Sequence, residues 1–117
     1  MVRYFAMEKR RSDRYPVSLH ASITLGAKTY TGLINNVSEF GVGYLMTSLS
    51  RVAKDFTPDG TAEMAFRTPS GKTLHLNCEV KWFFRASPND QAMTMGMKII
   101  NPPREYNEYL ETLYSNN

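Results

Sequence analysis

Strict alternation of apolar and polar residues recurs along this 117-residue chain. Between residues 17 and 25, five apolar side chains alternate with four polar ones, and residues 74–84 carry the longest stretch of the same pattern. Side chains of a β-strand point to opposite faces with a period of two, so each stretch predicts a strand with one buried face. A chain built from such strands and short turns is typical of a small antiparallel barrel or sandwich.

The alternation predicts six strands, over residues 17–25, 29–35, 42–46, 62–66, 74–84 and 93–99. Gly32 indicates a bulge or a close approach of another segment to the second strand. Residues 47–58 have weak periodicity and are expected to form a loop or a short helix, and residues 87–90 a turn. Pro102-Pro103 ends the strands, and apolar residues at helical spacing predict an amphipathic helix over residues 104–115.

The length predicts one domain, with a flexible basic arm at residues 1–16, a barrel at 17–101 and a C-terminal helix region at 102–117. The single cysteine, Cys78, excludes an internal disulfide and favours a reducing compartment. No apolar run has the length of a membrane span, and the first residues do not form a secretory signal. We therefore expect a soluble cytoplasmic protein that does not insert into a membrane.

The excess positive charge lies on the N-terminal arm. Residues 1–14 hold five basic and two acidic side chains, whereas the whole chain holds 14 and 11, so residues 15–117 carry nine of each. Arg10, Arg11 and Arg14 lie within five residues, and a guanidinium group matches both phosphate oxygens and the O6/N7 edge of guanine. The arm therefore indicates a dense anion site, although a solvated basic terminus has a similar composition.

The sequence contains no recognisable catalytic motif, and we expect no enzyme, no metal ion and no cofactor. His20 and His75 fall on polar strand faces, and Cys78 falls on an apolar face, where cysteine is usually a small core residue. There is no glycine-rich phosphate loop before a helix and no zinc-binding spacing.

The aromatic residues of the strands are expected to pack in the core. Phe66, Trp82 and Phe84 all fall on faces that the alternation assigns to the interior. A protein that binds single-stranded nucleic acid would instead stack bases on exposed aromatic side chains along a basic groove. The neutral body of the chain also disfavours that function.

Residues 36–41 form a polar turn between two strands. Asn36 offers an amide, Ser38 offers a hydroxyl, and Gly41 allows close approach of a ligand to the backbone. An Asx-type turn, in which such residues hydrogen-bond their own backbone, would have the same composition.

Taken together, Arg10-x-x-x-Arg14 and Asn36-x-Ser38-x-x-Gly41 resemble the motifs of the PilZ domain family. The resemblance covers nearly the whole chain and includes Tyr15-Pro16-Val17, Val80-x-Trp82 and the Gly96–Ile99 strand before the final helix. PilZ domains are six-stranded barrels that act as receptors for the bacterial second messenger cyclic di-GMP. The resemblance implies an all-β, six-stranded antiparallel barrel with a C-terminal α-helix, in a bacterial cytosolic protein.

The resemblance also implies the ligand site. Arg10 and Arg14 would contact guanine edges and phosphates, and Arg11 would add a phosphate or stacking contact. The second motif would hold a guanine or a phosphate through Asn36 and Ser38, and its glycine would permit the loop geometry. The implied cyclic di-GMP site consists of Arg10, Arg11, Arg14, Asn36, Ser38 and Gly41.

Signal output in such a receptor would come from a change in the conformation of the arm, which a downstream protein partner would read. We expect a monomer or weak dimer and no nucleic-acid partner. An alternative is a PilZ-like protein-interaction module that binds no nucleotide and docks through Tyr106, Tyr109 and Tyr114 of the C-terminal helix.

Overall fold

The computed structural model of the chain describes residues 14–47, 60–84 and 93–115. In these ranges lie β1 (Tyr15–Leu25), β2 (Lys28–Val37), β3 (Gly41–Met46), β4 (Thr61–Arg67), β5 (Thr73–Phe84), β6 (Met93–Ile100) and α1 (Arg104–Ser115). The strands form a closed antiparallel barrel in the order β1-β2-β3-β6-β5-β4. This confirms the predicted six-stranded antiparallel barrel with a C-terminal helix.

The element boundaries lie close to the predicted ones. The helix was predicted over 104–115 and has those bounds, whereas β1 begins at Tyr15, two residues before the expected start of the barrel. The first thirteen residues of the basic arm, most of the predicted loop at 47–58 and the predicted turn at 87–90 lie outside the described residues. No helix within the described ranges is long and apolar enough to cross a bilayer.

The inward side chains of all six strands form one hydrophobic core. Ile23, Ile34, Met64 and Leu76 are each at most 1% exposed, and burying one such side chain contributes roughly 1.5–3 kcal/mol. The methionines of β6 that the alternation assigns to the interior are also buried, and so is Cys78. The two histidines lie at exposed positions, as the alternation predicts.

Tyr44 crosses the barrel interior beneath Gly32. Its ring is fully buried, and its hydroxyl donates a hydrogen bond to the carbonyl oxygen of Ala21 at 2.9 Å. A methyl group on Gly32 would lie 2.8 Å from the Tyr44 ring and would also overlap the carbonyl oxygen of Leu45. Gly32 is therefore a point of close approach, which is one of the two roles that the sequence indicated.

The C-terminal helix packs against the barrel. Tyr106 and Tyr109 are 0% and 7% exposed, Tyr109 meets Phe66 edge-on with ring centroids 6.0 Å apart, and Tyr114 packs against the core. The aromatic stripe therefore faces the chain's own barrel. Burial of Tyr106 and Tyr109 therefore removes the structural support for a docking surface built on this stripe.

The turn before α1 places the helix on the barrel. Asn101 has φ 49°, a left-handed conformation that asparagine tolerates better than most residues. The carbonyl oxygen of Pro103 then accepts hydrogen bonds from the backbone N–H groups of Tyr106 and Asn107. Proline suits this position because a helix leaves the N–H groups of its first turn without intrahelical partners.

The buried phenols predict a loss of stability at high pH. Burial raises the pKa of Tyr44, Tyr106 and Tyr109 above the ordinary value of 10.0 and raises the pKa of Cys78 to about 12. The unfolded chain therefore releases protons that the folded chain retains, so stability is present at neutral pH and is lost as the pH rises above the unfolded-state values. Each such group lowers the free energy of unfolding by up to about 1.4 kcal/mol per pH unit in this range.

Urea unfolding between pH 9 and pH 11.5 tests this expectation. Tyr44→Phe removes one of these groups, so its stability should fall less steeply with pH than that of the wild type. If stability fell equally steeply with pH in the two proteins, the Tyr44 phenol would have the same pKa in the folded and unfolded chains.

Candidate functional site

The Asn-x-Ser-x-x-Gly motif lies where β2 turns into β3. The backbone N–H of Ser38 donates to the carbonyl oxygen of Gly41 at 2.9 Å, and the Ser38 hydroxyl donates to the same oxygen at 3.4 Å. The carbonyl oxygen of Phe40 accepts a bond of 2.8 Å from the N–H of Ile99 in β6. The turn is therefore closed by its own backbone and anchored to a neighbouring strand.

Arg14 joins the two predicted motifs. Its Nη1 donates to Asn36 Oδ1 at 3.0 Å, and Asn36 Nδ2 donates in turn to Asn35 Oδ1 at 2.7 Å. The guanidinium also lies over Gly41, because a methyl group at that position would be 3.1 Å from Arg14 Nη2. The structure thus brings Arg14, Asn36 and Gly41 together, whereas Arg10 and Arg11 lie outside the described residues and their place in the site stays a prediction.

The interpretation of this segment as a purely structural turn holds for Ser38 and not for Asn36. Ser38 is 9% exposed and hydrogen-bonds the backbone of its own turn, as in the purely structural interpretation. The Asn36 amide instead bonds two other side chains. Asn36 therefore faces a surface that Arg14 and Asn35 also reach.

Strand pairing extends this surface across the outside of the barrel. Asn36 of β2 pairs with Gly43 of β3, Gly43 pairs with Gly96 of β6, and Gly96 pairs with Trp82 of β5. A methyl group on Gly43 would overlap the Asn36 side chain, and one on Gly96 would overlap the indole of Trp82. Because both positions lack a Cβ atom, the amide and the indole lie directly on the strand backbones.

Irregular pairing flanks the two glycines. From Ile34 to Asn36, β2 advances by two residues while its partner β3 advances by only one. Asn35 is therefore an extra residue in β2. In the same way β5 carries one extra residue, Lys81, opposite β6. A bulge reverses the face to which the following side chains point. It therefore turns Asn36 outward, although regular alternation from the buried Ile34 would turn it inward.

The expected burial of Trp82 and Phe84 is wrong. Trp82 is 48% exposed and Phe84 is 54% exposed, and their rings stack with centroids 5.6 Å apart at 26°. The extra residue in β5 exchanges the two faces, so Phe83 packs against the core instead. Phe66 lies in a strand that has no such irregularity, and it is buried as predicted. The run of three aromatic residues at 82–84 was the available signal, because an alternating strand cannot bury all three.

Two basic residues, Arg14 and Lys98, are neighbours of Gly41. Arg14 lies over the glycine, and Lys98 is exposed and directly paired with it in the sheet. Glu79 is also paired with Lys98 in the sheet and forms an ion pair with Lys81 at 3.4 Å. Among the described residues, no group of three or more histidine, cysteine or acidic side chains could hold a metal ion.

The PilZ domain family model matches residues 8–116 of the chain. This range contains both motifs and every strand of the barrel. A comparison with curated proteins found no match.

Three solved structures share the fold. The Bacillus subtilis inhibitor of motility MotI/DgrA has a TM-score of 0.71 at 16% identity, over 92% of this chain and 50% of that one. Borreliella burgdorferi PlzA, solved in complex with c-di-GMP, has a TM-score of 0.62 at 12% identity, over 99% and 58%. The PilZ domain of Escherichia coli YcgR, solved with c-di-GMP, has a TM-score of 0.68 at 12% identity, over 92% and 90%. The chain thus spans only 50% and 58% of the MotI and PlzA chains.

The contact between Gly96 and the indole predicts that Gly96→Ala displaces Trp82. Trp82 is the only tryptophan in the chain, so its fluorescence reports this position alone. The added methyl group should lift the indole off β6 and shift its emission to longer wavelength, while far-UV circular dichroism keeps the barrel signature. Lys98→Ala, on the same strand and face, is the control and should leave the emission unchanged. An unshifted spectrum for Gly96→Ala would contradict the packing.

Proposed function

Because the chain belongs to the PilZ domain family, we propose that it is a non-catalytic receptor that binds cyclic di-GMP. The observation that carries this proposal is the position of the Arg14 guanidinium, which lies against both Asn36 and Gly41. Residues of both motifs therefore meet at one surface of the barrel. Two neighbours of the same fold, PlzA and the YcgR PilZ domain, were solved with c-di-GMP.

The described residues offer the chemistry that the ligand requires. Arg14 has five N–H donors, and a guanidinium pairs in bidentate geometry with a phosphate or with the O6/N7 edge of guanine. Asn36 supplies both a donor and an acceptor to a base. The Ser38 hydroxyl makes only a long bond of 3.4 Å to Gly41, so rotation can direct it to the ligand. In this proposal Arg10 and Arg11 add contacts from the arm.

Trp82 extends the proposed site at its far end. The indole is half exposed and lies on the same outer row as Asn36, separated from it by Gly43 and Gly96. A flat guanine can stack on this ring, and such base–aromatic stacking is worth about 1–3 kcal/mol. The proposed surface thus offers hydrogen bonds at one end and a stacking platform at the other.

The proposed output is a change in the basic arm. Arg10 and Arg11 carry positive charge that two ligand phosphates neutralise, so binding favours an arm placed across the ligand. The new position alters the surface that a downstream protein contacts, which is an order–disorder type of switch.

Titration calorimetry with Arg14→Ala tests the proposal. The wild type should bind cyclic di-GMP saturably and should not bind GTP comparably. Loss of hydrogen bonds from a charged group costs about 1.5–3 kcal/mol, so the Kd of Arg14→Ala should rise at least about tenfold. Lys28→Ala removes the same charge at the distant β1–β2 turn and should bind like the wild type.

The two ways in which this experiment can fail are distinct. Absence of saturable binding in the wild type would refute the receptor function itself. Wild-type affinity in Arg14→Ala would refute only the assignment of the site.

A second prediction concerns Trp82. Trp82→Ala should weaken binding by about tenfold or more, because it deletes the stacking surface, whereas Trp82→Phe should retain most of the affinity. In the wild type, cyclic di-GMP should quench the fluorescence of the single tryptophan. Equal affinities of the alanine variant and the wild type would show that the indole does not contact the ligand.

A further inference from the structure

The C-terminal helix reaches the candidate site through one hydrogen bond. Tyr106 of α1 is 0% exposed, and its hydroxyl donates to the carbonyl oxygen of Ser38 at 2.7 Å. The N–H and the hydroxyl of Ser38 both bond to Gly41. The carbonyl oxygen is the remaining polar group of Ser38, and Tyr106, 68 positions later in the chain, hydrogen-bonds it.

We propose that Tyr106 is a positioning residue for cyclic di-GMP binding, which keeps the turn at Ser38–Gly41 in its binding conformation and couples that turn to the docking of α1. The inference rests on the proposed function, because the ligand is the one proposed above. Tyr106 lies beneath the turn and does not itself contact the ligand.

The burial of the hydroxyl explains why this bond constrains the turn. Water does not reach Tyr106, and a buried donor without a partner is costly. If the turn moves away, the phenol loses its acceptor, and if α1 moves away, the Ser38 carbonyl loses its donor. The phenol is protonated and is a donor at neutral pH, and burial raises its pKa further above the ordinary value of 10.0.

The coupling must act in both directions. If α1 stabilises the turn that the ligand contacts, then the ligand stabilises the docked helix by the same factor. Site occupancy is then communicated to α1, an element separate from the basic arm. The contacts of Tyr109 with Phe66 and of Tyr15 with Tyr114 attach other parts of the helix to the barrel, whereas the Tyr106 bond joins it to the turn.

The chain contains a matched control for this bond. Tyr44 is also 0% exposed, and its hydroxyl also donates to a backbone carbonyl, that of Ala21 in the barrel interior. Tyr44→Phe and Tyr106→Phe each delete one buried hydroxyl and keep the ring. They should lower the stability of the protein by similar amounts, while only Tyr106→Phe changes a group that touches the proposed site.

The decisive experiment is titration of both variants with cyclic di-GMP at a temperature where both are fully folded. Tyr106→Phe should raise the Kd by roughly fivefold, the effect of one hydrogen bond, and Tyr44→Phe should leave it unchanged. An unchanged Kd for Tyr106→Phe, or equal losses in both variants, would overturn the inference. If the wild type itself does not bind, the receptor function fails and this inference fails with it.

Hydrogen exchange of the wild type provides a test that requires no variant. Saturation with cyclic di-GMP should slow amide exchange in α1, and GTP at the same concentration should not. If the ligand binds and exchange in α1 is unaffected, the site and the helix are not coupled, and the inference is wrong while the receptor function stands.

Discussion

Alternation in a closed barrel ties the core to the outer surface, because each inward side chain determines what its neighbours present outward. In β3, Val42 and Tyr44 fill the interior, and this turns Gly41 and Gly43 toward Arg14 and Asn36. In β6, buried methionines on both sides of Gly96 direct that residue toward the indole of Trp82. The candidate site and the hydrophobic core are therefore opposite faces of the same strands.

The site combines a rigid surface with groups that are weakly held. The glycines belong to paired strands, and the turn at Ser38 is anchored by β6 and α1. The contact between Arg14 and Asn36 is exposed, so water competes for it and its contribution to folding is small. Arg14 can therefore exchange its partner without disturbing the barrel, which is compatible with the ligand contact proposed for it.

Much of the fold could be predicted from the sequence because burial imposes a period of two on strands and 3.6 on helices. The helix bounds were predicted correctly, since Pro103 and the apolar spacing that follows it are local signals. Arg14, Asn36 and Gly41 were found through their resemblance to a family pattern. Chain periodicity alone left open a solvated terminus in place of the basic site and an ordinary turn in place of the second motif.

The rest of the site depends on interactions that periodicity does not contain. Trp82 was assigned to the core because the alternation was extended through Lys81, where the strand gains an unpaired residue. Tyr106 was recognised only as part of an apolar stripe. Its hydrogen bond to Ser38 joins distant parts of the chain, and no local pattern marks it. The role of Gly43 and Gly96, which is to leave room for side chains of the neighbouring strands, is evident only from the strand pairing.

The extra residue in β5 makes the outer face of the barrel depend on the strand register and not only on the composition of the chain. If Lys81 instead paired with Gly96, and Trp82 with Met95, β5 would pair regularly with β6 with no change in amino-acid content. The faces of Trp82 and Phe83 would then be exchanged, and the indole would leave the row that contains Asn36. Among proteins of this architecture, a one-residue change of register in this strand can thus add or remove an aromatic platform while the barrel itself is retained.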